Sequence, residues 1–331
     1  VNESFRSDPG TDGLETEPWF VPAASIEVPP EAGRWLVDGL LGSEGVAVIG
    51  GDPKLGKSWL VSHLAVAVAS GENCLDHYTV HDPGCVMVVS AEGPPWMASD
   101  RLTHVAGHMG LELGSLPIHV MSRRVPRLDV PEDQDRLLRE VERLKAKLLV
   151  LDPLAQMHAA DENSAQGLAG VLNFINLVRR SSAASVALVH HVRKGAKGRG
   201  GSRLRGSSAL HAWLDSGLYL SAQGEDAQLT VEQRCGPSPD PMLLRLVTSG
   251  PHYHLEAVDP DQQPGREDER PAVLKSRILA LLEDVPARRW ARNVLRQTLG
   301  VKSERLTDPL RELEAEGRIT RDRQGIGLPA K

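Results

Sequence analysis

The chain has 331 residues, with 38 Lys and Arg against 44 Asp and Glu, for a net charge of -6. That length exceeds one average domain and can bury a full core, while 3 cysteines are too few for a disulfide framework. No apolar run reaches the roughly 18 residues that a membrane span requires, so we expect neither a membrane protein nor a stapled secreted module, and place the chain in the cytoplasm.

Residues 1–30 open with "VNESFRSDPGTDGLETEP", which is polar, acidic and rich in Pro and Gly. Such a segment is predicted to be a disordered tail, and it lacks the basic start and apolar stretch of a signal peptide. Residues 31–258 alternate between two kinds of segment. "GVAVIG" (45–50), "CVMVVSA" (85–91), "LLVLD" (148–152) and "SVALVHH" (185–191) are short aliphatic runs. Runs of this kind suit parallel strands buried on both faces. Helical patterns separate them, as in "KSWLVSHLAVAVAS", "DQDRLLREVERLKAK" and "LAGVLNFINLVRR". This order predicts an α/β fold with a mostly parallel, doubly wound sheet. After Arg205 come "SGLYLSA", "QLTVEQR", "MLLRLVT" and "HYHLEA", predicted to extend that sheet as antiparallel strands.

The polar run "DPDQQPGREDER" (259–270) is predicted to be a linker. Beyond it, residues 271–331 hold three helical patterns and the hairpin-like "RITRDRQGIGLP", an order that resembles a winged helix-turn-helix. Pro309 would break the third helix, so Asp308 is expected to cap a new helix with Pro309 at its first position.

Chemistry concentrates where "GVAVIG" meets a helix. Gly51, Asp52, Pro53, Lys54, Leu55, Gly56, Lys57 and Ser58 fit G-x-x-x-x-G-K-[ST], and Trp59 follows. Glycines let the backbone N–H groups turn inward around phosphate oxygens, and the helix N-terminus adds its positive end. Lys57 is expected to hold the β- and γ-phosphates of ATP, and Ser58 to ligate Mg²⁺. Asp152, ending "LLVLD", is the second expected metal ligand, as a Walker B aspartate. Glu92, at the end of "CVMVVSA", is the candidate for polarising the attacking water.

"GGDPKLGKS", "SAEGPP", "LDPLAQMHAADENS", "LVHHVRKG" and "RGSSAL" occur in the order seen in RecA-like P-loop ATPases resembling the plasmid replicative helicase RepA. The resemblance covers roughly residues 31–222. It implies a homo-oligomeric ring, commonly a hexamer, with ATP between subunits and single-stranded DNA in the channel. It also implies that Glu92 is the catalytic base, that His191 senses the γ-phosphate, and that Arg205 is an arginine finger reaching a neighbouring subunit.

Two basic regions are the candidates for DNA contact. Residues 193–205 carry 6 Lys and Arg among glycines, and residues 271–331 carry 13 Lys and Arg against 8 Asp and Glu. In the C-terminal module, duplex DNA would meet Lys302, Arg305, Arg318, Arg321 and Arg323, although Glu312, Glu314 and Glu316 lie on its third helix. The other channel-loop candidate, "MHAADENSAQ", is acidic. Cys74, His77, His81 and Cys85 have zinc-compatible side chains, but Cys85 begins the strand leading to Glu92, so this stretch is expected to be an ordinary connection. The expected function is that of a Mg²⁺-dependent replicative helicase of a plasmid, phage or other mobile element. The alternatives are a recombination or repair ATPase that does not unwind DNA, and an ATP-switched DNA-binding regulator.

Overall fold

The computed structural model describes residues 20–162, 164–191, 201, 208–234, 236–258, 271–286, 288–299, 306–322 and 325–329. The predicted linker, 259–270, and residues 1–19 of the predicted tail lie outside these residues. Residues 20–34 are exposed and hold two short 3-10 turns, Ala23–Ser25 and Glu31–Arg34. A small hairpin follows, made of β1 (Trp35–Val37) and β2 (Leu41–Gly42).

The alternating region gives β3 (Val46–Gly51), α1 (Lys57–Ser70), β4 (Val86–Ser90), α2 (Pro95–His108) and β5 (Ile118–Val120). It continues with α3 (Pro131–Leu144), β6 (Leu148–Asp152), α4 (Ala165–Ser182) and β7 (Ser185–His191). After α5 (Ser208–Trp213) comes a meander of β8 (Ser216–Gln223), β9 (Asp226–Gln233), β10 (Met242–Ser249) and β11 (His252–Val258). These strands form one sheet in the order β11-β10-β9-β8-β3-β7-β6-β4-β5. From β8 to β5 every neighbouring pair is parallel, and β9, β10 and β11 extend the sheet antiparallel. The fold is therefore the mixed α/β architecture that the sequence predicts.

Side chains alternate across each buried strand, and the sheet divides two cores accordingly. Ala47, Ile49, Val86 and Val88 face α1 and α2, while Val46, Val48, Met87 and Val89 face α3 and α4. The parallel register aligns the strands' C-terminal ends: Gly51 pairs with His191 and Leu220, and Ser90 with Asp152. Residues that follow these strands therefore gather at one edge, where open α/β sheets bind ligands.

In the C-terminal region, α6 (Pro271–Asp284), α7 (Arg292–Leu299) and α8 (Thr307–Ala315) precede a hairpin of β12 (Thr320–Asp322) and β13 (Gly325–Gly327). Leu274, Ile278, Leu295, Leu310 and Ile326 form a core of their own here. One expectation is corrected: α8 starts at Thr307, with buried Leu306 before it, not at Pro309 capped by Asp308. Pro309 is instead its third residue, where a backbone N–H would have no intrahelical acceptor in any case.

The meander is tied to α1 by histidine. His63 of α1 and His254 of β11 are buried, and His63 Nε2 accepts a hydrogen bond from the Leu255 backbone N–H at 3.1 Å. His254 stacks on His108 of α2 with ring centroids 3.3 Å apart, and Asp76 Oδ2 lies 3.9 Å from His108 Nε2. Burial, with His254 and His108 close by, pushes the His63 imidazole down from 6.5 to about 3. Burial likewise lowers His254.

Because the unfolded chain binds the His63 proton more readily, this contribution to stability is complete above about pH 6.5 and is lost as pH falls toward 3. Urea denaturation across that window is expected to show an added slope of about 1.4 kcal/mol per pH unit. The variant His63→Gln keeps an acceptor for Leu255 but does not titrate, so it should flatten the slope. An unchanged slope would remove His63 as its source.

Candidate active site

The turn from β3 into α1 is built around a tight approach and a left-handed residue. A Cβ on Gly51 would lie 2.7 Å from the Leu220 carbonyl oxygen, so only glycine lets β3 run this close to β8. Gly56, at φ 86, caps α1 in the left-handed region that glycine adopts without strain. Lys57 is buried, and its Nζ donates to the carbonyls of Gly51 (3.0 Å) and Asp52 (2.9 Å), curling the loop around its ammonium. Burial pushes the Lys57 pKa down, while Asp152, Glu92 and Asp52 oppose that shift.

At the end of β6, Asp152 is buried, and the Ser58 hydroxyl lies close enough to favour its charged form. Burial raises its pKa; Ser58, Arg101 and Lys57 pull it back, and Glu92 adds to the rise. A hydroxyl and a carboxylate held together are two hard oxygen donors, which fits Mg²⁺. Glu92, just past β4, is half-exposed, and His191 Nε2 lies 3.5 Å from its Oε1. Pro53, Lys54, Leu55, Gly56, Lys57, Ser58, Trp59, Glu92, Asp152 and His191 all line one cavity of about 630 Å³. Four segments separated in sequence thus place a cation, two metal-compatible oxygens, a carboxylate and an imidazole around one space.

A family model described as an AAA domain matches residues 12–197. The chain belongs to this AAA-domain family. It is accordingly a P-loop ATPase, and the cavity is its candidate nucleotide site.

Other predicted residues fall elsewhere. Arg205 lies outside the described residues, as do Lys194, Lys197, Arg199, Lys302, Arg305 and Arg323. Arg321 is described and pairs with Glu314 at 3.2 Å, and Lys275 pairs with Glu312 and Glu316. Glu312 and Glu314 of α8 and Glu316 at its C-terminal cap therefore each have a cation beside them. In the acidic loop, Glu162 turns inward, 4.0 Å from both His158 and His190. Cys74 is buried against the β1–β2 side of the core, where burial pushes its thiol up to about 12. Among the described residues no three His, Cys, Asp or Glu are placed to hold a metal ion, and no helix is long and apolar enough to cross a membrane.

Sequence reasoning missed two parts of the ATPase site. Arg101 of α2 lines the cavity and lies close enough to Asp152 to lower that residue's pKa. The signal was present but faint: Ala98, Leu102, Val105 and Ala106 have the spacing of a helix face, and Arg101 sits beside it. The second is an apolar wall facing the phosphate loop, built by Ala222, Leu244, Leu246 and Leu255 of the meander.

Arg101 yields a direct test. Removing its charge leaves Asp152 easier to protonate, so Arg101→Ala should shift the acid limb of Mg²⁺-dependent nucleotide binding to higher pH. Arg101→Lys should keep it near that of the wild type. Fluorescence anisotropy of a labelled ATP analogue, followed as the pH is lowered until binding fails, reads the limb. The same limb in all three proteins would take Arg101 out of the site.

Proposed function

We propose that this ATPase works on DNA as a RepA-like oligomeric replicative helicase of a plasmid, phage or other mobile element. The observation that carries the ATP chemistry is the gathering of Lys57, Ser58, Glu92, Asp152 and His191 around one cavity. In this reading Lys57 leaves the Gly51 and Asp52 carbonyls to hold the β- and γ-phosphates. Ser58 and Asp152 would hold Mg²⁺, whose charge would offset that of the phosphates. Glu92 takes a proton from the attacking water, and His191, 3.5 Å away, registers the γ-phosphate and orients Glu92. The step forms a bond from water oxygen to the γ-phosphorus, breaks the bond to the β–γ bridging oxygen, and leaves ADP and phosphate.

The DNA part rests on the order of motifs and on the six cations in residues 193–205. Single-stranded DNA is the expected partner of that segment, and a hexamer the expected assembly, with Arg205 acting across the subunit interface. A second reading is favoured by the three helices and hairpin after residue 270, an order that suits duplex DNA. There the chain is an ATP-switched regulator. ATP-dependent strand displacement on a tailed duplex supports the helicase, whereas site-specific duplex binding with negligible turnover supports the regulator.

Two substitutions separate binding from turnover. Lys57→Ala should weaken ATP binding by about tenfold or more. Glu92→Gln should bind ATP nearly normally and hydrolyse it about a hundredfold more slowly. Wild-type hydrolysis by Glu92→Gln would place the base elsewhere.

Arg205→Ala should impair hydrolysis far more than binding. Mixing it with Lys57→Ala should restore part of the activity, because some interfaces then pair an intact pocket with an intact finger. If subunits exchange and activity stays at the sum of the two variants, Arg205 does not act across subunits.

A further inference from the structure

The parallel sheet is uncovered at one corner. Strand β5 is its last strand and pairs only with β4. Ile118 and Val120 pack toward α1 and α2, but on the opposite face α3 leaves a groove of about 460 Å³ between itself and the β4–β5 edge. Met87, Met121 and Leu137 give this groove an apolar floor. Arg123, Arg124, Arg136 and Arg143 stand around it. Arg124 pairs with Asp133 and Arg143 with Glu140, so the surroundings remain net positive. An apolar floor with a basic rim beside an open strand edge suits an extended, acidic, apolar peptide.

The chain carries such a peptide. Phe20 is 91% exposed, Val28 68%, Ile26 59% and Val21 50%. Scattered exposed apolar residues are ordinary, but four within nine positions of one segment form a surface that calls for a partner. The backbone is extended on either side of the short 3-10 turn Ala23–Ser25, as Pro22, Pro29 and Pro30 favour. From Ser7 to Gly33 the sequence has six carboxylates, Glu27 and Glu31 among them, and no Lys or Arg.

We infer that the arm of one chain, residues 20–31, docks in the β5–α3 groove of a second copy. Within its own chain the arm leads into β1, and Leu36 and Val37 of that strand pack in the α1–α2 core, across the sheet from the groove. Arm and groove are different surfaces, so the contact either closes when two copies exchange arms or runs head-to-tail from copy to copy as a ring or filament. The inference deepens the homo-oligomer part of the proposed function and uses none of the nucleotide residues.

Photocross-linking of the full chain tests it. A benzoyl-phenylalanine replacing Phe20 in unlabelled chain, mixed with ¹⁵N-labelled wild type and irradiated with and without Mg²⁺-ATP, should form links of mixed isotope composition. These should map to the peptide spanning Met121 to Leu144. Links within one chain, links mapping elsewhere, or no links would overturn the inference.

Charge reversal gives a second readout. The pair Arg123→Glu and Arg136→Glu should weaken self-association at least about tenfold by light scattering. Adding Glu27→Arg and Glu31→Arg should recover much of the loss, and failure to recover overturns the pairing. Binding of an ATP analogue, measured in the same samples, reports on the Lys57 site separately. Intact nucleotide binding without arm docking rejects this inference alone; lost nucleotide binding in the wild type rejects the ATPase chemistry instead.

Discussion

The approach of the Ser58 hydroxyl to the Asp152 carboxylate sets the terms for the rest of the site. It joins the first turn of α1 to the last residue of β6, two segments about ninety residues apart, and requires β3 and β6 to end at one level. The sheet delivers that alignment because β3, β7, β6 and β4 are parallel neighbours in register. Once the ends coincide, His191 arrives opposite Gly51 and Glu92 emerges two residues beyond Ser90. The electrostatics follow from the same crowding. Lys57 and Asp152 are both buried, so each loses hydration, and each recovers part of that cost from the other's opposite charge.

Much of this was legible because it is encoded locally. Gly51 to Ser58 is one unbroken motif between a strand and a helix, and β4, β6 and β7 are aliphatic runs that their flanking residues delimit clearly. What stayed hidden depends on packing or on short segments. Helix α2 opens on Pro94, Pro95 and Trp96, which read as a loop, and two of its four buried positions are alanines. Arg101 approaches Asp152 across fifty-one positions of sequence only because α2 packs where it does. Strand β5 is three residues long, too short for a period-two pattern to declare itself.

The C-terminal region shows a different kind of limit. Its helices were readable from their spacing, but the start of α8 was not. A sequence view gives weight to Asp308 and Pro309 as a cap and first residue, whereas the structure anchors the helix through Leu306, which joins Leu310 and Leu313 in the core. Burial of apolar side chains outweighs capping here, in keeping with the larger free energy of burying a leucine. The glutamates of α8 and its C-terminal cap carry a related lesson. Counted along the chain they repel a phosphate backbone, but each has a lysine or arginine beside it in space.

The bond between His63 and Leu255 gives the phosphate loop a mechanical neighbour. Leu255 lies where a Cβ on Gly56 would touch it at 3.4 Å, and its backbone is fastened to the same helix that Gly56 caps. Loop, helix and meander are thereby braced as a triangle whose corners are Gly56, His63 and Leu255. The phosphate loop is walled by β11 on this side, so a side chain at position 56 would meet Leu255 as well as the cost of the left-handed backbone. One neutral imidazole thus fastens the helix that begins at the phosphate loop to an outermost strand of the sheet.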